Sequence, residues 1–210
     1  MIVLEKLSFR YPKTENDVLS GLSCTFEAGE CVAVTGQNGC GKTTLVRLVC
    51  GMLRPTAGRI SIDGEDTAKM DLFSVGRRVG CVFQDPSRQL FCTSVEEEVR
   101  FGLVNMGLPG NEIDERTARY LKLFRLEHLA GAFPRTLSQG ERQRTVLAAV
   151  LAMGTRYLLL DEPTSGLDMR AREELGESLA ELTRQGCGVI FVSHERPFIE
   201  RWATREWVMP

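Results

Sequence analysis

No apolar run in this sequence approaches the roughly 20 residues that a membrane-spanning helix needs. The longest, Val146 to Met153, is far too short, so no transmembrane segment is expected. The N-terminus, Met1-Ile2-Val3-Leu4-Glu5-Lys6, has no basic stretch leading into a long apolar one, and no secretory leader is expected. Charge of one sign is also lacking. With 26 Lys and Arg against 28 Asp and Glu, the net charge is −2, which leaves no polybasic surface and no nucleic-acid partner to expect. The seven cysteines (Cys24, Cys31, Cys40, Cys50, Cys81, Cys92 and Cys187) form no Cys-x-x-Cys pair. Odd in number and scattered through apolar stretches, they read as reduced cytosolic thiols, with neither a disulfide framework nor a zinc site. Internal repeats, low-complexity tracts and long linkers are absent. What remains is a 210-residue chain, 43% hydrophobic and 26% charged, the composition of a soluble globular protein with a real core and long enough for one large domain or two small ones.

The beginning of the chain reads as short strands with turns: Ile2–Tyr11, Leu22–Glu27, and Arg59–Ile62 followed by Asp63-Gly64. Four near-continuous apolar strands follow, at Cys31–Thr35, Val79–Phe83, Tyr157–Leu160 and Gly188–Val192. Strands apolar on both faces imply a parallel sheet covered by helices. Helical segments at Thr43–Cys50, Glu141–Met153 and Met169–Arg184 alternate with them, which predicts an α/β fold. From about Pro86 to Gly154 the patterns are mostly helical, and this segment reads as a helical insertion.

Gly36-Gln37-Asn38-Gly39-Cys40-Gly41-Lys42-Thr43-Thr44 follows the strand Cys31–Thr35 and opens a helix. It fits the pattern of a glycine, four residues, then Gly-Lys-Ser/Thr, in the strand–loop–helix context that the motif requires. The glycines let successive N–H groups face one centre. Lys42 brings a positive charge to the β- and γ-phosphates, and the Thr43 hydroxyl can bind Mg²⁺. A chance match in a chain this long is on the order of one per cent, so nucleotide binding is expected.

Tyr157–Leu160 ends in Asp161-Glu162-Pro163. In open α/β sheets ligands sit at the carboxyl ends of strands. Asp161 is placed to hold Mg²⁺ through its water shell, and Glu162 to orient and activate the attacking water. Gln84 ends another strand at that edge, where its amide oxygen could sense Mg²⁺ or the water, or be an ordinary loop group. His194 follows Gly188–Val192 at the same edge, where it could face the γ-phosphate or be an ordinary structural histidine. Tyr11 could stack on an adenine ring or be a half-buried strand aromatic. Asp168 is a cap for the helix that begins at Met169. Leu137-Ser138-Gln139-Gly140-Glu141-Arg142-Gln143 looks like a helix start, with Ser138 as cap and Glu141 completing a capping box. Such a start attracts phosphate, although most capping boxes only begin a helix.

Together these residues resemble the ATP-binding cassette ATPases over nearly the whole chain. In order they match the family's adenine-stacking aromatic (Tyr11), Walker A loop (Gly36–Thr44), Q-loop (Gln84) and signature (Leu137–Gln143). The Walker B strand with its catalytic glutamate (Tyr157–Glu162), the D-loop (Ser165–Asp168) and the switch histidine (His194) follow. The resemblance implies a P-loop NTPase fold with a mainly parallel core sheet, an N-terminal antiparallel β-subdomain and an inserted helical subdomain. Residues 1–85 and 155–210 would form the core and 86–154 the insertion. It implies ATP and Mg²⁺ as cofactors and a head-to-tail dimer of two such subunits. Ser138 and Gly140 would then contact the γ-phosphate of the partner's ATP.

After Gln84, the segments Val82-Phe83-Gln84-Asp85-Pro86, Gln89-Leu90-Phe91 and Thr93–Leu103 resemble the energy-coupling-factor ATPases, which drive uptake of cobalt, nickel and vitamins. This implies a subunit at the cytoplasmic face of the membrane whose groove receives a helix of an integral membrane protein. Leu90, Phe91, Val99 and Phe101 are the candidates for lining it, unless they serve the helical subdomain's own core, as some of them must. Two signature residues depart from the family pattern: Gln139 stands where glycine is usual, adding a side chain near the partner's phosphate, and Glu141 replaces glutamine. The sequence also stops where the catalytic domain normally ends, so a C-terminal extension is not expected. The alternatives are a transporter ATPase of another substrate class, a soluble cassette ATPase, and a regulatory module that binds ATP without hydrolysis. The repair-type coiled-coil insertion and the translation-type second cassette are both lacking, and Glu162 with His194 argues against a non-hydrolysing module. The signature excludes a P-loop kinase or GTPase.

Overall fold

The computed structural model describes all 210 residues. The chain opens with β1 (Ile2–Phe9) and β2 (Leu19–Phe26), and β3 (Cys31–Thr35) then feeds α1 (Lys42–Val49). β4 (Ala57–Ile62), β5 (Glu65–Asp66), α2 (Leu72–Gly76) and β6 (Val79–Val82) follow. A helical run comes next: α3 (Val95–Asn105), α4 (Gly110–Leu123) and α5 (Gln139–Ala152). The chain returns through β7 (Tyr157–Asp161), α6 (Met169–Arg184), β8 (Gly188–Val192), α7 (Arg196–Trp202) and β9 (Arg205–Val208).

Two sheets form. One is antiparallel in the order β2-β1-β4-β5, and the other runs β6-β7-β8-β3-β9 with every pairing parallel. All residues of β3, β7 and β8 are buried, because both faces of the parallel sheet are covered. Successive side chains serve opposite faces. Ala33, Leu158, Leu160, Val189 and Phe191 pack with the helical run and α6. Val32, Val34, Leu159, Ile190 and Val192 pack with α1 and the antiparallel sheet. Helix α1 therefore lies between the two sheets, and its first turn is fixed in position by packing on both sides. In β1 the pairing shifts register between Leu4 and Leu7, with Lys6 at φ 46°. Gly58 (φ +75°) lies so close to the bulged Glu5–Lys6 backbone that no Cβ would fit there.

The α/β class and the four apolar strands stand as the sequence predicts, with small changes at their ends. Val79–Phe83 stops at Val82, because the Phe83 N–H donates to the Gln89 side chain at 2.8 Å instead of the ladder. Tyr157–Leu160 extends to Asp161, which still pairs with Val192. Ile2–Tyr11 ends at Phe9. Strand β9 escaped the sequence reading. Its residues Arg205-Glu206-Trp207-Val208 are half exposed along an edge and carry little apolar signal. Because the parallel strands share one direction, Thr35, Val82, Asp161 and Val192 finish at one edge of the sheet.

Candidate nucleotide site

A cavity of about 490 Å³ opens at that edge. Its floor is the loop between β3 and α1. Gly39 (φ +87°) and Gly41 (φ +95°) adopt left-handed conformations that side chains disfavour. A Cβ on Gly41 would also run into Val18 and Leu19. The cap position Gly41 offers no side-chain acceptor, so the first N–H groups of α1 point outward without partners. Asn38, Gly39, Gly41, Lys42, Thr43 and Thr44 all line the cavity. Lys42, only 8% exposed, donates through its ammonium to the carbonyls of Gly36 and Gln37 at 3.0 Å each. Gly36 and Cys40 stand behind the wall, Gly36 as an acceptor and Cys40 with its sulfur 3.9 Å from Lys42 Nζ.

The opposite wall comes from the ends of β6, β7 and β8. Asp161 is 3% exposed, and burial raises its carboxyl above the usual range, opposed by the Thr43 hydroxyl and by Arg47 and Lys42. Glu162 sits at φ +50°, with its N–H donating to the Val192 carbonyl at 3.0 Å. A glutamate held in the left-handed region is a strained position of the kind that clusters at functional sites. Its Oε1 lies 3.3 Å from His194 Nε2, and burial raises its carboxyl while the His194 imidazole opposes the shift. Gln84 completes this wall. Val18 and Val192 also line the cavity without having been singled out, since nothing in their residue types marks them. Tyr11 lies outside the wall but is tied to it, with its hydroxyl 3.1 Å from Thr44 Oγ1 and its ring edge-on to Phe9.

Ser138 and Gly140 line a different cavity, of about 350 Å³, which shares no residue with the first. Ser138 caps α5 as predicted. Its hydroxyl accepts from the Glu141 N–H at 3.4 Å, and Glu141 Oε2 accepts from the Ser138 N–H at 2.8 Å. Asp168, in the same cavity, caps α6 by accepting from the Ala171 N–H at 2.8 Å. Gln139 turns its amide onto the adjacent loop, donating to the Ser165 carbonyl at 2.7 Å. A smaller, mostly apolar cavity of about 100 Å³ is lined by Leu90, Phe91 and Phe101. Phe91 and Phe101 are 64% and 45% exposed and meet edge to face at 4.7 Å, over a nearly buried Leu90. Val99 does not belong with them. It is 0% exposed, on the inward side of α3, and serves the helical core.

A glycine-rich loop on a helix start, facing two carboxylates at the end of a parallel strand, defines a P-loop nucleotide-binding protein. The ABC transporter family profile matches residues 19–165, and the chain belongs to that family. It is 43% identical to the cobalt import ATP-binding protein CbiO of Syntrophus aciditrophicus, over 92% of this chain and 70% of that protein. It is 41% identical to the energy-coupling factor transporter ATP-binding protein EcfA of Methanothermobacter thermautotrophicus, over 100% of this chain and 68% of the relative. Among solved structures, cbiO1 of Clostridium perfringens, described as part of the transporter complex cbiONQ, superposes with a TM-score of 0.90 at 35% identity. That match covers 99% of this chain and 84% of the other. The cassette MJ0796, solved as a dimer bound to ADP and Pi, gives 0.87 at 27% identity over 100% of this chain and 94% of its own.

Proposed function

We propose that this chain is the ATP-hydrolysing subunit of an importer of the energy-coupling-factor type, serving cobalt, nickel or vitamin uptake. One observation carries the reading: Lys42, Thr43, Asp161, Glu162 and His194 converge on one cavity, while Ser138 and Gly140 line another. One chain thus supplies a complete phosphate cradle with its base, plus half of a second cradle that needs another subunit. In a head-to-tail pair, Ser138 and Gly140 of one subunit close over the γ-phosphate held by Lys42 of the other. The printed names of the relatives support the energy-coupling-factor assignment, and the dimeric MJ0796 structure supports the pairing.

Within the cavity Lys42 binds the β- and γ-phosphates and the outward N–H groups of α1 orient them. Glu162 accepts a proton from the attacking water, and His194 holds the Glu162 carboxylate and faces the γ-phosphate. Tyr11 borders the adenine position beside Thr44. The Thr43 hydroxyl, the buried Asp161 carboxylate and the Gln84 amide oxygen are hard oxygen donors in one cavity, with Thr43 hydrogen-bonded to Asp161, which fits Mg²⁺. When bound there, Mg²⁺ would neutralise phosphate charge. The exposed Phe91–Phe101 pair over Leu90 is the candidate seat for a helix of the membrane subunit. No helix of the chain is long and apolar enough to cross a membrane, and the subunit is assigned to the cytoplasmic face as a peripheral partner.

Mixing subunits tests the reading. Lys42→Ala and Ser138→Arg chains, each inactive alone, should regain turnover when combined, because one composite site in each mixed dimer is intact. No recovery would argue against action in trans.

A further inference from the structure

Gln139, the side chain that stands in place of the usual signature glycine, lines the same cavity as Ser138 and Gly140, but its amide is anchored to the cavity's far wall. Its amide Nε2 donates to the Ser165 carbonyl at 2.7 Å. The amide lies flat against Gly166, whose φ of +72° and lack of a Cβ leave room for it; a methyl there would overlap all three amide atoms. The Ser165 N–H in turn donates to the Glu162 carbonyl at 3.1 Å, and the Leu167 N–H to the Thr164 carbonyl at 3.1 Å. Two consecutive tight turns therefore connect Glu162 to the start of α6, and Gln139 grips their midpoint. Behind it, Gly140 packs toward Ala171 and Leu167, and Arg144 pairs with Glu174 at 3.2 Å, so that α5 and α6 are held together on either side of this contact.

We infer that Gln139 is a positioning residue that ties the start of α5 to the loop carrying its own subunit's Glu162. The inference rests on the composite-site reading above. It adds that the segment reaching toward the partner's ATP also sets the backbone of the glutamate that serves the subunit's own ATP. A signature glycine has no atom with which to make this connection. Gln139 thus acts in cis, two hydrogen bonds from the Glu162 peptide by way of Ser165, and not on the partner's phosphate.

Two measurements test this. The first is amide exchange of the full chain without nucleotide, comparing wild type with Gln139→Ala and Gln139→Glu, the second being nearly isosteric but lacking the N–H that Ser165 accepts. Loss of one such hydrogen bond should speed exchange across Ser165–Leu167 by about three- to tenfold in both variants, with the α6 interior unchanged. Unchanged exchange overturns the link. The second is turnover in mixed dimers made with an excess of a Lys42→Ala partner, so that nearly every active cradle sits in a mixed pair. With Gln139→Ala on the subunit that keeps Lys42, the working site has an intact signature from the partner but its own loosened Glu162 loop. Its rate should fall about three- to tenfold below the wild-type/Lys42→Ala control, with ATP affinity unchanged. With Gln139→Ala moved onto the Lys42→Ala subunit, the rate should match the control. The reverse pattern would place Gln139 on the partner's phosphate and overturn the inference. Absence of ATP turnover in the wild-type chain would instead sink the composite-site reading, leaving the exchange experiment to judge the link.

Discussion

Replacing Glu162 with glutamine removes a carboxylate and almost nothing else, which makes it the sharpest probe of this site. The backbone strain at φ +50° is unchanged, the N–H still donates to the Val192 carbonyl, and the amide oxygen can still accept from His194. What disappears is the capacity to take a proton from water. A positioned general base contributes roughly 10²- to 10⁴-fold, or about 3–5 kcal/mol of barrier. Steady-state phosphate release should fall by that factor, while nucleotide binding holds or tightens, because one negative charge leaves the neighbourhood of the phosphates. The burial that raises the Glu162 carboxyl also fixes two pH signatures. Turnover of the wild type should decline on acidification at a higher pH than for an ordinary glutamate, since the base must be ionised. For stability the sign is opposite to that of a salt-bridged acid. A folded-state value above the unfolded one means that the fold disfavours the charged form. The penalty is present at pH 7 and vanishes as pH falls below the unfolded value. Glu162→Gln should therefore melt higher than wild type near neutrality, with the difference closing at about pH 4. Turnover within threefold of wild type would refute the assignment of the base.

Other substitutions separate binding, docking and packing. Lys42→Ala removes the buried ammonium that bridges Gly36 and Gln37; ATP affinity by calorimetry should fall roughly 10- to 100-fold, the value of a charged hydrogen-bonded contact. Phe91→Ser and Phe101→Ser should leave the fold and the ATPase of the isolated subunit intact but weaken co-purification with the membrane subunit, since both rings are exposed. Val99→Ala, four residues from the Val95 that opens the same helix, should instead destabilise the fold by about 2 kcal/mol in denaturant titrations, as a wholly buried side chain must. Gly176→Ala sets two effects against each other. Helix propensity favours alanine by about 1 kcal/mol, but the new methyl would enter the Trp202 indole, and overpacking of about 1–3 kcal/mol should lower the melting temperature.

Much of this protein is legible in its sequence because its parallel strands are buried on both faces. Cys31–Thr35 and Gly188–Val192 are uninterrupted apolar runs, and the structure leaves their bounds where the sequence puts them. The cavity was legible for a related reason: strands that all point one way bring their last residues together, which puts Asp161, Gln84 and His194 on the same edge as Lys42. Val99 shows the limit. Its neighbours in sequence, Glu98 and Phe101, line the apolar cavity, but α3 turns Val99 inward, and residue type alone does not tell the inner face of a short helix from the outer. Strand β9 was missed because an edge strand needs only half the apolar signal of a central one. Val18 was missed because it contributes shape to the cavity and no chemistry.

Gln139 was visible in the sequence as a departure, but its meaning depended on a contact 26 residues away. From the sequence, an added side chain in the signature is expected to disturb the partner's phosphate. The structure ties that side chain across the wall of the cavity onto Ser165 and makes room for it at Gly166. A residue that looked like damage to one site becomes a tether for another. The loop from Glu162 to Asp168 then has two tasks, carrying the base for one cavity and capping the helix beside the other. On the head-to-tail reading, a shift of α5 on gripping the partner's ATP is expected to reach the loop of the subunit's own Glu162 through two hydrogen bonds, Gln139 to Ser165 and Ser165 to Glu162. If that connection couples the two sites, Gln139→Ala should lower the cooperativity of ATP turnover in the paired subunits, and an unchanged Hill coefficient would refute the coupling.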